Sequence, residues 1–312
     1  MARRALRPAS LRRPEGAMNY RHHFHAGNAA DVLKHLVLTA ILRHLGRKPA
    51  GFCYLETHAG RGLYDLASDA AQRSGEHLEG IGRLWDVPGL PPEAADYVDQ
   101  VRAANPAGDG PPRLRYYPGS PSIAHHLLRP QDRMILCELH PEEHRALRRE
   151  LGGDRRVAIH RMDGYQAIRA FLPPKERRGL CLIDPPYERP DELDAALAAI
   201  REANERFPGG IIAAWYPIKA AAPVRAFQAA LISARVPRVL AVELSPYPDD
   251  RADRLSGSGM LLVNPPYQLD VGLRRTLPAL VPRLDFHESG APGRWRVDWL
   301  TGEDEAPARA RR

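Results

Sequence analysis

An α/β fold built on a mostly parallel seven-stranded sheet is predicted by two features of this 312-residue chain. Short apolar runs alternate with helical stretches along most of the sequence, as strands joined by crossover helices require. Between the last two runs only a loop is available, Ser245 to Gly259, so those strands are expected to be antiparallel neighbours.

The elements follow in order. A helix is predicted from Ala29 to Leu45: Asn28 caps it, Asp31 sits in its first turn, and Gly46 and Pro49 stop it. Val32, Leu33, Leu36, Val37, Ala40 and Ile41 form its apolar stripe, with Lys34 and His35 beside it. The strand candidates are Phe52–Glu56, Met134–Glu138, Val157–Arg161, Leu180–Ile183, Ile211–Trp215, Val239–Leu244 and Met260–Asn264. Helices are expected at Ser122–Leu128, Glu142–Leu151, Gly164–Phe171 and Asp191–Phe207. The stretch from Asp65 to Pro112 breaks the alternation and reads as a small helical insertion, with helices near Glu76–Trp85 and Glu93–Ala104. The domain is expected to span 18–301. Residues 1–17, with five arginines against Glu15, read as a disordered leader, a transit peptide or RNA-binding arm being the alternatives, and 302–312 as a disordered tail.

Composition narrows the function classes. No run of apolar residues is long enough to span a bilayer as a helix. Cys53, Cys137 and Cys181 show no metal or redox spacing and read as reduced thiols of a cytoplasmic protein. The net charge of +7 favours a polyanionic partner, although only four of the basic residues are lysines and a GC-rich genome gives the same bias. The segment Tyr20-Arg21-His22-His23-Phe24-His25 lacks the ligand spacing of a zinc site, so no metal is expected; basic and aromatic residues interleaved there suit phosphate and base contacts.

The chemistry is concentrated at the carboxyl ends of the predicted parallel strands. Glu56-Thr57-His58-Ala59-Gly60-Arg61-Gly62 gives a glycine turn after the first, but a nicotinamide fingerprint would want a third glycine where Asp65 stands. Glu138 closes the second strand, where an acid conventionally binds a ribose, and Asp163-Gly164 follows the third. Asp184-Pro185-Pro186-Tyr187 follows the fourth. An adenine amine is a poor nucleophile because its lone pair is delocalised into the ring. A carboxylate and a backbone carbonyl, each accepting one N–H, localise that pair. The prolines fix the backbone without competing donors, and the aromatic stacks on an extruded base. A second copy, Asn264-Pro265-Pro266-Tyr267, ends the antiparallel strand and so emerges at the opposite end of the sheet; it is expected to be structural.

Together these residues resemble the RlmJ family of bacterial 23S ribosomal RNA adenine-N6 methyltransferases. The resemblance runs from about Met18 to Leu300. It is carried by Tyr20-Arg21-His22, Phe24-His25-Ala26-Gly27-Asn28, Ala30-Asp31-Val32-Leu33-Lys34-His35, Thr57-His58-Ala59-Gly60, Tyr116-Tyr117-Pro118-Gly119-Ser120-Pro121 and Asp184-Pro185-Pro186-Tyr187. It implies a class I, Rossmann-like fold, S-adenosylmethionine as cofactor and 23S ribosomal RNA as partner. It further implies cofactor contacts at His35, His58, Ser120, Glu138, Asp163, Gly164 and Asp184, with Asp184 catalytic. Tyr20, His22 and Lys34 would lie on the RNA side, joined by Tyr187. A monomer is expected. Glu56 departs from the family's usual aspartate, and Arg61 stands where a small residue is common. A DNA adenine methyltransferase is the alternative with the same tetrapeptide.

Overall fold

The computed structural model describes residues 22–107, 110–247, 255–285 and 293–302. The expected leader, the tail beyond 302, Tyr20 and part of the 245–259 loop therefore lie outside the described residues.

Helix α1 (Ala29–Gly46) opens the domain, and Asn28 caps it as expected, its side-chain oxygen accepting from the Asp31 amide at 2.9 Å. Five parallel strands follow: β1 (Cys53–Glu56), β4 (Arg133–Cys137), β5 (Val157–His160), β6 (Gly179–Ile183) and β7 (Ile211–Ile218). β8 (Val239–Ser245) and β9 (Gly257–Val263) are antiparallel neighbours, and β9 also pairs antiparallel with β7. β9 thus runs against its neighbours and lies between β7 and β8.

Among the described residues the sheet has eight strands rather than seven. β10 (Arg294–Trp299) adds to the edge beside β8, giving the order β10-β8-β9-β7-β6-β1-β4-β5. Its sequence, RWRVDW, hides it: an edge strand has one neighbour, and only Val297 of the six is buried. Two helices were also unmarked by the periodicity. α9 (Ala221–Ser233) makes the β7–β8 crossover, and α10 (Leu269–Leu284) contains Pro278 and Pro282, which read as breakers.

The insertion is framed by a two-stranded antiparallel sheet, β2 (Leu63–Asp65) and β3 (Tyr116–Pro118). In place of one helix at 76–85 it holds α2 (Asp69–Ser74), α3 (Glu76–Glu79) and a 3-10 turn at Ile81–Arg83, followed by α4 (Pro92–Ala103). Gly80 explains the break: a Cβ there would meet the Gly27 carbonyl at 2.0 Å, so the chain passes too close for a side chain. Helices α5 (Ser120–Leu127), α6 (Pro141–Leu151), α7 (Gly164–Phe171) and α8 (Glu192–Arg206) complete the crossovers. α5 starts at Ser120, ahead of the expected Ser122, because Pro121 is suited to the first helical turn.

Side chains alternate across the sheet as the pleat demands. Tyr54, Leu180, Leu182 and Ala213 face one core with α1, α4 and α10; Leu55, Cys181, Ile183 and Ala214 face the other with α7, α8 and α9. The three cysteines are free and buried. Strand order reverses about β1, with β4 on one side and β6 on the other, and ligands bind outside the carboxyl ends at such a switch point. Among the described residues no helix is long and apolar enough to cross a membrane.

Candidate active site

A cavity of about 880 Å³ opens at that point. His22, Lys34, His35, His58, Ser120, Glu138, Asp163, Gly164, Asp184 and Tyr187 all line it. Every predicted site residue within the described part of the chain is therefore gathered in one place; only Tyr20 falls outside that part.

One wall is backbone. The glycine turn leaves β1 with Gly60 at φ +63°, and its amide donates to Glu138 Oε2 at 2.8 Å. The other Glu138 oxygen accepts from the His140 amide at 2.7 Å. Burial raises the Glu138 pKa, opposed by these two amides. Each oxygen keeps a second lone pair, so the carboxylate remains able to accept hydroxyls. Asp163 caps α7, accepting from the Tyr165 amide at 2.9 Å. At Gly164 a Cβ would meet the Thr57 carbonyl at 2.0 Å, so only glycine lets α7 close on the first turn.

The floor is polar and buried. His35 Nδ1 lies 2.7 Å from the Tyr117 hydroxyl, which lies 3.0 Å from that of Tyr97. Its Nε2 is buried with no hydrogen-bond partner, and burial pushes the imidazole pKa down to about 3. A neutral ring with an unsatisfied nitrogen at a cavity wall fits a polar ligand group. Burial likewise lowers the His58 pKa; its ring lies edge-on to Tyr165. The Ser120 hydroxyl donates to Glu56 Oε1, and the Tyr54 hydroxyl donates to Oε2 at 2.9 Å. Burial pushes Glu56 up to about 8, so this carboxyl is mostly protonated at neutral pH. These residues fit S-adenosylmethionine: backbone at close approach, a carboxylate with spare lone pairs, and an orphaned imidazole nitrogen.

The far wall belongs to Asp184, which leaves β6 beside the glycine turn. Lys34 Nζ lies 2.7 Å from Asp184 Oδ2 and 3.0 Å from Asp31 Oδ1. Burial works against the ammonium, but the two carboxylates outweigh it and hold the Lys34 pKa well above its usual value. Asp31 is 2% exposed. Its Oδ2 accepts from the Gly27 amide and meets His22 Nε2, both at 2.9 Å. Burial opposes its charge too, but His22 and Lys34 draw its pKa well below normal. Tyr187, at φ +52°, donates its hydroxyl to the Trp215 carbonyl at 2.7 Å, and the two rings meet edge-to-face.

Asp31 and Trp215 were not singled out as site residues. The i,i+3 spacing of Asp31 and Lys34 on α1 was the available signal for the first; nothing local marks the second, which comes from the middle of β7. Arg61 does not line the cavity. Its guanidinium forms a forked pair with Glu143 of α6, at 2.9 and 2.7 Å. Asn264 is placed as topology requires: its amide donates to the carbonyls of Pro208 and Gly210, just before β7 and at the opposite end of the sheet from Asp184.

Comparison with known proteins identifies the family. The family model described as "Ribosomal RNA large subunit methyltransferase D, RlmJ" matches residues 49–301. The chain is 44% identical over 286 residues to the Ribosomal RNA large subunit methyltransferase J of Haemophilus influenzae, covering 92% of this chain and all of that one. It is 42% identical over the same length to its namesake in Escherichia coli. A crystal structure of a Legionella pneumophila protein, 34% identical, superposes with a TM-score of 0.79 over 88% of this chain and 98% of that one. The chain therefore belongs to the RlmJ family of ribosomal RNA large subunit methyltransferases, which draw their methyl group from S-adenosylmethionine.

Proposed function

We propose that the protein methylates the exocyclic N6 amine of one adenine in 23S ribosomal RNA, in the cytoplasm, with Asp184 as the catalytic acceptor. The observation that carries this reading is the Lys34–Asp184 contact. An N–H donor already sits 2.7 Å from Asp184 Oδ2, within the cavity that holds the cofactor wall. A second N–H donor, the adenine amine, can take that position.

S-adenosylmethionine supplies an electrophilic methyl group on a sulfonium. The protein's own part is to localise the amine lone pair and aim it. Asp184 accepts one N6–H. The Pro185 and Pro186 carbonyls, on a backbone with no competing amide donors, accept the other. As nitrogen gains the methyl and becomes cationic, Asp184 takes the surplus proton. Tyr187, pinned through its hydroxyl to Trp215, presents a ring for the extruded base to stack on. Asp31 gives Lys34 a second carboxylate to hold when the amine displaces it. The family names of the relatives support ribosomal RNA as the substrate class.

The test is methyl transfer from labelled S-adenosylmethionine to protein-free 23S RNA, with nucleoside digestion and mass spectrometry. N6-methyladenosine is the expected product, lost in Asp184→Ala. Another methylated nucleoside, or transfer to duplex DNA alone, would sink the reading.

A further inference from the structure

The second tetrapeptide, Asn264-Pro265-Pro266-Tyr267, has no part in the active site, yet it is built with care. Asn264 (φ 52°) and Gln268 (φ 61°) flank it in the left-handed region, and Arg238 across the turn shares it (φ 52°). Non-glycine residues hold such backbone only where the surroundings enforce it. Here the Asn264 side chain ties the turn to Pro208 and Gly210, and its amide donates to the Arg238 carbonyl at 3.1 Å. The product of this rigid turn is a tyrosine in solvent: Tyr267 is 81% exposed.

It does not stand alone. Among the described residues, four of the seven exposed large apolar side chains are Tyr267, Val271, Trp295 and Trp299, all on the turn, α10 or β10. Tyr267, Val271 and Trp299 line a groove of about 340 Å³. The Trp299 indole is oriented by its N–H, which donates to Asp270 at 3.1 Å. The groove is lined by Arg238 and Asp270, and the adjoining positions 235, 274 and 275 add three more arginines. Oriented aromatic faces in basic surroundings are how proteins hold unpaired bases, by stacking on the ring with cations for the phosphates. A basic or purely apolar protein partner does not match that charge.

We propose that this groove is a second RNA-binding site, taking an unpaired base of the same ribosomal RNA between Tyr267 and Trp299. The proposal rests on RNA as the substrate. The groove lies toward the end of the sheet opposite Asp184: about four residues of β7, roughly 13 Å at strand rise, separate the two motifs along the strands, and Trp299 lies four strands across on β10. Only an RNA that extends well beyond the methylated adenine reaches both. The groove then sets affinity for large RNA and leaves the chemistry untouched.

The test compares full-length 23S RNA with a short stem-loop trimmed around the methylated adenine. The full-length chain is used as wild type, Tyr267→Ala/Trp299→Ala, and Tyr267→Phe. Binding is read by filter retention, independently of turnover, and folding by thermal melting. The double variant is expected to bind 23S RNA about tenfold more weakly, with kcat and stem-loop affinity unchanged. Tyr267→Phe keeps the ring and is expected to bind as wild type. Unchanged 23S affinity in a folded double variant overturns the proposal. So does an equal loss on both RNAs, or a fall in oligomeric mass with unchanged RNA affinity, which would assign the groove to a second copy of the chain.

Discussion

The Lys34 ammonium donates to Asp184 at 2.7 Å while remaining 3.0 Å from Asp31, so one cation is shared by a carboxylate of the loop after β6 and one of helix α1. The two acids differ in surroundings. Asp31 is 2% exposed and further fixed by Gly27 and His22, whereas the Asp184 side chain faces the cavity. In the proposed mechanism Asp31 holds Lys34, and Asp184 exchanges it for the substrate amine.

That difference separates two substitutions. Asp184→Ala leaves Lys34 its Asp31 partner, so the fold is expected to survive, with melting temperature near wild type. Methyl transfer is expected to fall by at least a hundredfold, the usual minimum for a lost general acid–base group. Parallel melting and transfer assays check both, and a folded variant with near-normal turnover would falsify the role given to Asp184.

Asp31→Ala should damage the fold as well as turnover. It leaves the Gly27 amide and His22 without their buried acceptor and Lys34 wholly dependent on Asp184. A broken buried pair costs about 3–5 kcal/mol, read as a lower urea midpoint. Asp31→Asn retains an acceptor for Gly27 and should recover part of that stability. It should not recover turnover, because without the second carboxylate Lys34 stays on Asp184. Stability and kcat are thus expected to separate in this variant.

Glu56 predicts an unusual pH dependence. Its folded pKa, raised by burial to about 8, exceeds the unfolded value of about 4.5. The folded state therefore binds the extra proton between these values, and stability from this group is complete below about pH 4.5 and lost as pH rises through about 8. Asp31, held low, contributes in the opposite sense: its stabilisation is present above the unfolded carboxylate pKa and disappears as pH falls through the folded one. Glu56→Gln mimics the neutral form, still accepts from Ser120 or Tyr54, and should flatten the stability profile between pH 5 and 8. Urea midpoints across that range are the measurement; a wild-type slope in the variant counts against a protonated Glu56.

Much of this was legible in the sequence because it depends on order along the chain. A parallel strand must deliver its next residue to the same rim as its neighbours, so Glu56, Glu138, Asp163 and Asp184 converge by topology alone. The same argument sent Asn264 to the far end. What stayed hidden depends on contacts between distant segments. Trp215 lies mid-strand and matters only because Tyr187 reaches its carbonyl. β10 is too polar to read as a strand without its partner β8. α10 carries two prolines that local rules count as stops, yet Leu273, Leu277 and Leu280 are fully buried and tertiary packing overrides the breakers.

Asn264→Ala gives the sharpest contrast between the two tetrapeptides. The substitution removes two hydrogen bonds, to Pro208 and Gly210, and places alanine at φ 52°, where asparagine is tolerated and a plain Cβ is not. Each loss costs on the order of 1 kcal/mol, so a melting temperature lowered by several degrees is expected. Turnover on a short RNA fragment should be unaffected at a temperature where the variant is folded, because none of the described residues of this turn lines the cavity. A folded Asn264→Ala enzyme that fails to methylate the fragment would mean that the assignment of the two motifs, catalytic at Asp184 and scaffold at Asn264, is reversed.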